Sequence, residues 1–581
     1  MYFIKLRTKN NILLLTITIL ILTVVSATFG TLNLSANTNN NQQEQAHKLS
    51  LQNRQRKETV HRSQTKQAGF LGKENISSVL FAQNKPVLEI LAAGDLDTTF
   101  GTGGKVTTQI GSTGSEALAI ALQTDGKFVA AGYSSNGANI DFALARYNSN
   151  GSLDTAFGNG GKVITDIGSA DNASLALAIQ TDGKVIAAGN SFNGTDDDFA
   201  LVRYNSNGTL DNTFGTGGIV TTNFNNSSET IDAITIQTDG KIVAAGYRLN
   251  GSFFDFALAR YNSNGTLDET FGTGGKVTTG FSEFDDLARA IVLQTDGKIV
   301  VSGEADTDFA VARYNSNGSL DTTFDGDGRV RTSINLFDSA YDVAIQSDGK
   351  IVAAGETGNG NNSDFALIRY ESGGALDSTF DGDGIVTTAI GASDEFASSL
   401  ALQTNGKIVV GGFSFNGSND DFALVRYNTN GSLDSTFGAG GKVTTDFSSS
   451  SNDYISALAI QSGNRVIGVG SANTNFAAAA YSLGTTNCTY SLSPTSADFP
   501  SAGGTGSFLV TTEAGCSFTA VSNSEFITIT GGSTGSGSGT INFSVALNSS
   551  AARTGTITLD GQTFTINQAL GVKSRKRARF F

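Results

Sequence analysis

The sequence predicts an all-β protein: a seven-bladed β-propeller of four-stranded blades, followed by a C-terminal immunoglobulin-like β-sandwich. Three recurring phrases carry the propeller. Phe142-Ala143-Leu144-Ala145-Arg146-Tyr147 returns from Phe199, Phe256, Phe309, Phe365 and Phe422, with a worn copy from Phe476 to Tyr481. Gln123-Thr124-Asp125-Gly126-Lys127 keeps step with it, returning from Gln180, Gln237, Gln294, Gln346 and Gln403 and, degraded, from Gln461. Leu96-Asp97-Thr98-Thr99-Phe100 returns from Leu153, Leu210, Leu267, Leu320, Leu376 and Leu433, at intervals of 57, 57, 57, 53, 56 and 57 residues. A fixed period of this size marks an array of one supersecondary unit.

Each unit holds four short runs of strand character. In the second they cover 162–165, 175–179, 184–188 and 199–204, rich in Val, Ile, Phe and Tyr and bounded by Asp-Gly, Asn-Gly or Gly-Gly turns. Helical spacing is nowhere sustained. Four antiparallel strands repeated seven times make a propeller, because a small sheet with two apolar faces is marginal alone and stable when stacked. Alternation puts Phe199, Leu201 and Arg203 on one face and Ala200, Val202 and Tyr204 on the other, so that large residues interlock with alanines. An open solenoid would show polar capping units, and the first unit is as apolar as the rest. Closure is therefore expected, with Lys105–Thr108 completing a blade with strands of the seventh unit.

The chain has 581 residues, 39% of them apolar, enough for several cores. Seventy glycines against three prolines suit tight turns between short strands. A net charge of −15 argues against a nucleic-acid partner, which needs a basic face, and keeps a repetitive β protein soluble. There is no Trp; His47 and His61 precede the repeats and Cys488 and Cys516 follow them, so residues 94–482 contain neither His nor Cys.

Residues 1–27 read as a secretory signal: Lys5, Arg7 and Lys9, then an apolar run from Ile12 to Val25, then Val25-Ser26-Ala27 as a small-residue cleavage site. The run is short for a membrane span, although an uncleaved anchor is the alternative. Residues 28–93, with Asn and Gln tracts and a mixed basic stretch, read as a flexible leader. The propeller then occupies 94–482, the sandwich 487–570, and a basic tail 571–581.

The repeated text Leu-Asp-x-x-Phe-Gly-x-Gly-Gly-x-Val-x-Thr, then Gln-x-Asp-Gly-Lys-Ile-Val-Ala-Ala-Gly, then Asp-Phe-Ala-Leu-x-Arg-Tyr closely resembles the delta-60 repeat family of bacterial β-propellers. The resemblance covers 94–482 and implies an exported propeller without a transferable activity. Residues 487–570 show short alternating strands at regular spacing, which argue a sandwich. Their order is similar to that of the BACON family, an immunoglobulin-like module often attached to carbohydrate-active proteins. That family usually has Trp where this chain has Phe518 and Phe526, which weakens any transfer of sugar binding. In an exported protein the two cysteines, Cys488 and Cys516, are expected to form a disulfide.

Residues recurring in every unit are most simply structural. The six arginines Arg146, Arg203, Arg260, Arg313, Arg369 and Arg426 are expected to pair with nearby Asp, and Asp141, Asp198, Asp255, Asp308, Asp364 and Asp421 to cap strand starts. A ligand site belongs where the units differ. They differ between the first and second runs (111–116, 225–232, 282–286, 335–342) and between the third and fourth (134–141, 190–198, 304–308, 413–421), connections that share one face of an up-and-down blade. That face is acidic, with Asp196, Asp197, Asp198, Asp285, Asp286, Asp420 and Asp421, and suits cations or a basic partner; solubility explains the charge equally well. In two units Gly-Thr-Gly-Gly becomes Asp-Gly-Asp-Gly. Asp321, Asp325 and Asp327, and likewise Asp377, Asp381 and Asp383, then offer oxygen ligands of the kind calcium prefers, although neither completes a calcium loop and plain Asx turns are the alternative.

Without His or Cys the propeller has no Ser-His-Asp triad, no Cys-His pair and no His-built zinc site. A two-carboxylate glycosidase needs only Asp or Glu and remains the competing reading; the missing Trp removes the usual platform for sugar stacking. The expectation is an exported, monomeric, non-catalytic binding or scaffold protein of the bacterial surface or extracellular space. Its partner is a protein or glycan, it has no span in the mature chain, and no cofactor is required beyond possible calcium.

Overall fold

The computed structural model describes residues 91–571, apart from 169, 449–450, 462–463, 485–489, 513–515 and 560. The expected signal (1–27), nearly all of the leader (28–93), Cys488 and the basic tail after residue 571 lie outside the described residues. Among the described residues every regular element is a strand, and no helix is long and apolar enough to cross a membrane.

Seven four-stranded antiparallel sheets form the blades. Blade 1 runs Gly114–Leu122, Phe128–Ser135, Ile140–Tyr147 and Lys162–Thr165, and blades 2 to 6 repeat this order. Blade 7 is composite: Asp453–Gln461, Arg465–Ala472 and Asn475–Ser482 are completed by Lys105–Thr108 from the start of the array, with Lys105 opposite Ala479 and Thr108 opposite Phe476. The sequence unit is therefore offset from the blade by one strand, its first run being the outer strand of the preceding blade. The expected closure holds, and the first and last blades share one core through Phe128, Tyr147, Ile467 and Phe476.

The innermost strand, which composition left open, is the second run of each unit. Strands Asn172–Ile179, Glu229–Ile236 and Asp286–Leu293 contact one another in series, as do their counterparts around the ring, and blade 1 meets blade 7 in the same way. Packing between blades follows the predicted alternation. Phe199 and Leu201 bury against Ala257, Ala259 and Tyr261 of the next blade, while Ala200, Val202 and Tyr204 bury against Phe142, Leu144 and Phe157 of the one before. Tyr204 reaches through this seam to donate its hydroxyl to Thr165 Oγ1 at 2.8 Å, and Tyr261 does the same to Thr222 at 2.9 Å.

The recurring arginines make the expected pairs. Arg203 Nε lies 2.8 Å from Asp211, Arg313 2.7 Å from Asp321 and Arg369 2.6 Å from Asp377, each pair buried, and the Lys of the Gln-Thr-Asp-Gly-Lys turn joins the same carboxylate, Lys184 to Asp211 at 3.1 Å. Arg203 also donates to Ser263 O of the next unit and lies over the Phe214 ring at 4.5 Å. Burial works against the charge of Asp211, but hydrogen bonds from Thr213 and Lys184 and the Arg203 guanidinium hold its pKa well below the usual carboxylate range. In the seventh blade Ala480 replaces the arginine; Arg465 supplies the charge from the neighbouring turn and pairs with Asp97 at 2.7 Å.

The C-terminal sandwich packs a four-stranded sheet (Ser491–Ser493, Gly504–Thr511, Gly539–Val545, Ile527–Gly531) on a five-stranded one (Ser496–Phe499, Gln562–Gln568, Arg553–Leu559, Ser517–Ser522, Thr534–Ser536). Phe508, Phe543, Phe564 and Ile566 fill its core. Phe518 is part of that core, whereas Phe526 packs at its margin under the Arg553 guanidinium, 3.9 Å from the ring centre. Cys516 is fully buried.

Asp211→Ala leaves Arg203 buried without its carboxylate and is expected to cost about 3–5 kcal/mol, whereas Tyr204→Phe, which removes one buried hydrogen bond, costs about 1 kcal/mol. Denaturant unfolding of the two variants checks the order; equal effects would show that the buried ion pair counts for no more than the hydrogen bond across the seam.

Candidate functional site

The phrase Ile-Val-Ala-Ala-Gly ends on a glycine that has a specific task. Gly303 is extended, and a Cβ built there would stand 1.9 Å from Leu287 O; Gly246 and Gly355 meet the same obstacle at 1.9 and 1.8 Å. The crowding comes from a β-bulge in the innermost strand. Ala288 pairs with Gly303 and Ala290 with Ser302, leaving Arg289 unpaired, and every blade repeats this irregularity. A glycine inside a strand commonly marks such a bulge, and a bulge re-aims the side chain it carries. The unpaired residues stand on the axial edge of each sheet: Leu118, Leu175, Asp232, Arg289, Tyr341, Ser398 and Ser456. The backbone feature is invariant and the side chain differs from blade to blade.

Two flanking positions vary as widely. Glu116 pairs with Tyr133, Leu287 with Glu304, Ser339 with Glu356 and Phe396 with Phe413. These residues are half-buried apart from the buried Ser339, as expected for side chains around an axis, and lie towards the ends of the strands that carry the variable loops. The variable stretches seen in the sequence already contain Glu116, Asp232, Tyr341, Glu304 and Phe413, but as loop residues; the structure places them in strands.

The axial side chains meet across blades. Arg289 Nη1 donates to Asp232 at 2.8 Å and Nη2 to Glu304 at 3.3 Å, and the guanidinium lies 5.4 Å from the Tyr247 ring centre and 5.8 Å from that of Tyr341. Burial opposes the charge of Arg289, but the two carboxylates outweigh it and hold its pKa well above the ordinary arginine value. Glu304 accepts from Ser339 Oγ, and Tyr341 donates to Glu356 at 3.3 Å. Burial pushes Glu356 up to about 7, with Glu304 and Asp394 adding repulsion. From Tyr341 an aromatic chain continues through Phe396 (4.4 Å), Phe413 (5.3 Å) and Tyr454 (5.0 Å), crossing blades 5, 6 and 7. Charged, hydrogen-bonding and flat apolar groups thus converge on one rigid edge, the usual make-up of a binding site.

The acidic loop residues behave differently from the expectation of an open anionic face. Asp196, Asp198, Asp286, Asp420 and Asp421 are buried. Asp196 and Asp198 accept from Asn193 at 2.5 and 3.0 Å, Asp197 from Asn190 at 2.9 Å, Asp286 from the Phe281 amide at 2.6 Å, and Asp421 from Asn416 at 2.9 Å. Asp285 alone of this set is exposed, and even it accepts from the Phe254 amide of the preceding blade at 3.0 Å. Backbone amides and asparagines need acceptors in tight loops, and these carboxylates supply them.

The carboxylates of the Asp-Gly-Asp-Gly turns also serve as acceptors within the fold. Asp321 and Asp377 are committed to the buried arginine clusters, so they do not join Asp325, Asp327, Asp381 and Asp383 in a ligand set. Asp325 and Asp381 take left-handed φ of 49° and 51° where other units have glycine, and Asp327 and Asp383 accept from the amides of Arg329 and Ile385, both at 2.9 Å, as Asx turns. Among the described residues, the carboxylates that do come together are Asp421, Asp446 and Asp453, with oxygens within 4.8 Å of one another.

Two family models match the chain. One, described as a domain of unknown function forming a beta-propeller (DUF5122), matches residues 123–157, 180–214, 237–271, 294–324, 346–380 and 403–437. The other, BACON, described as a putative binding domain, matches residues 517–569. The chain thus has the two-part composition that its phrases imply, a repeat propeller followed by a BACON module, and a propeller with a binding-type domain suggests a binding or scaffold role. No curated protein matches. Among solved structures it is similar to virginiamycin B lyase from Staphylococcus aureus (12% identity, 65% of this chain and 98% of that one, TM-score 0.39) and to a protein from Lactobacillus plantarum (13%, 59% and 88%, 0.37). It also shares a segment with the Bacteroides ovatus GH5 xyloglucanase in complex with a XXXG heptasaccharide (16%, 14% of this chain, TM-score 0.13), spanning 19% of that chain. Likeness at this level says nothing about activity.

Buried carboxylates also begin several innermost strands. Burial holds Glu229 and Glu395 up to about 7 against an ordinary 4.5, with repulsion from Asp198 and Asp364 respectively, and Asp453 up to about 6 against 3.8. Groups with raised acid pKa values bind more protons folded than unfolded, so their contribution is fully present below about pH 4 and is lost as pH rises through about 7. The arginine-paired aspartates, with lowered values, lose theirs only as pH falls below about 4. The melting temperature is therefore expected to peak near pH 5 and fall towards pH 8, and Glu229→Gln with Glu395→Gln to flatten that fall. A flat profile in the wild type would refute it.

Proposed function

We propose that this chain is an exported, non-catalytic binding or scaffold protein that takes its partner at the axial mouth of the propeller's variable face. One observation supports this above the rest: three strand positions at the axis change from blade to blade while the backbone around them repeats. The bulge that exposes those positions is maintained by glycine in all seven blades. Repetition without selection for a site gives no reason for Arg289, Asp232, Glu304 and Tyr341 to stand together. The signal-like residues 1–27 support export, and export in turn supports a Cys488–Cys516 disulfide.

The test is a glycan and peptide array probed with the purified mature chain, in calcium and in chelator. Selective binding that is weakened in Arg289→Lys, which keeps a positive charge beside Asp232 and Glu304, and lost in Tyr341→Ala, with circular dichroism unchanged in both, is the expected result. Binding untouched by both changes would place the site elsewhere. Loss of binding on chelation would direct attention to Asp421, Asp446 and Asp453 rather than to the Asp-Gly-Asp-Gly turns.

One observation favours the carbohydrate-active alternative: Glu356 is held near neutrality beside a second carboxylate, Glu304, as a general acid requires. Release of reducing ends from an arrayed oligosaccharide, abolished by Glu356→Gln, would establish it.

The disulfide is tested by thiol titration and by heat. The unfolded chain is expected to show no reactive thiol until reduced, and reduction to destabilise the sandwich by about 3–4 kcal/mol. Two titratable thiols in the unreduced protein would end the proposal.

A further inference from the structure

Large apolar side chains are exposed on four neighbouring blades of the variable face. Phe192 closes the second strand of blade 2, Phe253 opens the third strand of blade 3, Phe284 stands in the loop into blade 4, and Leu336 and Phe337 lead into blade 5; they are 37–63% exposed. Single exposed apolar residues are ordinary, but a run of them along one rim is not. Phe253 and Phe284 come from different blades and their rings meet at 5.8 Å. Next in the same strand, Phe254 packs on Tyr247 at 5.1 Å, and Tyr247 faces Arg289, from which the aromatic chain runs round the ring through Tyr341, Phe396 and Phe413 to Tyr454. Rim and axis form one stripe.

The exposed charge bordering this stripe is mainly acidic. Glu283 and Asp285 flank Phe284 and both are exposed, as are Asp171 and Asp394 in the loops into blades 2 and 6. Two nearby cations are paired, Arg289 with Asp232 and Glu304 and Arg331 with Asp308 at 2.5 Å and Asp306 at 3.6 Å; Arg248, which donates to the neutral Asn250 at 3.3 Å, is the exception and is outnumbered by the exposed carboxylates. The opposite face contrasts with this, because there the recurring Lys and Arg share the aspartate of each cluster.

The geometry points to a protein segment with interleaved apolar and basic side chains as the occupant of this stripe. Apolar groups cover the exposed phenylalanines, and positive charge answers Glu283, Asp285 and their neighbours. A neutral glycan would meet the aromatics but leave the acidic border unmatched, and an anionic polymer or membrane would be repelled. This inference rests on the axial-mouth reading and extends it outward to the rim.

The probes are three fluorescein-labelled synthetic peptides read by anisotropy against the full mature chain at physiological salt. The first alternates arginine with phenylalanine and leucine, the second has glutamate for arginine, and the third has serine for the apolar residues. The first is expected to bind saturably and at least about tenfold more tightly than either control. Phe284→Ser with Phe337→Ser, and separately Glu283→Gln with Asp285→Asn, should each weaken it by about fivefold or more. The four positions are exposed, so the changes leave the core intact, and circular dichroism of each variant checks it. Equal binding of the first and third peptides, or binding indifferent to the rim changes, overturns the proposal. If all three peptides fail while a glycan binds in a manner lost in Tyr341→Ala, the inference falls and the axial mouth stands; if both fail, both readings fall.

Discussion

A four-stranded sheet with apolar side chains on both faces is stable only when both are covered, and every feature of this propeller follows from that constraint. Phe199 and Leu201 need the alanines of the next blade as Ala200 and Val202 need the phenylalanine and leucine of the one before. A linear stack would leave two faces bare. Closing the ring removes both, and giving Lys105–Thr108 to the last blade ties the two ends of the array with backbone hydrogen bonds. Loss of the arginine in blade 7 is tolerated because Arg465 and Asp97 restore the ion pair across that same closure.

Closure also divides the molecule chemically. On one face, the turn lysine, the strand arginine and the Leu-Asp aspartate converge in six of the seven blades, with Arg465 and Asp97 standing for them in the last, and Phe, Tyr and Thr fill the seams behind them. Those residues cannot vary without leaving a buried charge or a hole. On the other face, strand ends and loops answer only to local hydrogen bonding, so their side chains are free to diverge. The innermost strand joins the two regimes: its backbone is held by the seam, and its bulge turns one side chain out of it.

The fold was legible because its signal is repetition itself; Phe142-to-Tyr147 and its copies give period, strand and facing at once. The arginine pairs were legible too, since a charged residue at a fixed place in a buried strand must have a fixed partner. The site was legible only in part. Asp232, Tyr341 and Glu304 fell inside stretches that vary, yet a bulge cannot be told from a loop end when only one strand of the pair is read. Its trace was the glycine that closes the third run, such as Gly246 after Ala244-Ala245, whose task shows only when the facing carbonyl of Thr230 is seen beside it. Arg289, Phe396 and Tyr454 were missed for the same reason. The aspartates of the loops misled because charge in a sequence carries no depth, and Asp286 and Asp420 turned out to be interior acceptors.

A site carried by bulged strands differs from one carried by loops in what binding costs. Loop side chains must be ordered when a partner arrives, at roughly 0.5–1.5 kcal/mol for each flexible one. Arg289 is already held by Asp232 and Glu304 between two tyrosine rings, and Tyr341, Phe396, Phe413 and Tyr454 already pack on one another. The aspartates that brace the loops extend the same economy to the rim, since Asp285 fixes the strand start beside Phe253 and Phe254. Asp285 therefore serves recognition twice, by holding still the aromatic surface and by standing with Glu283 as exposed charge at its edge.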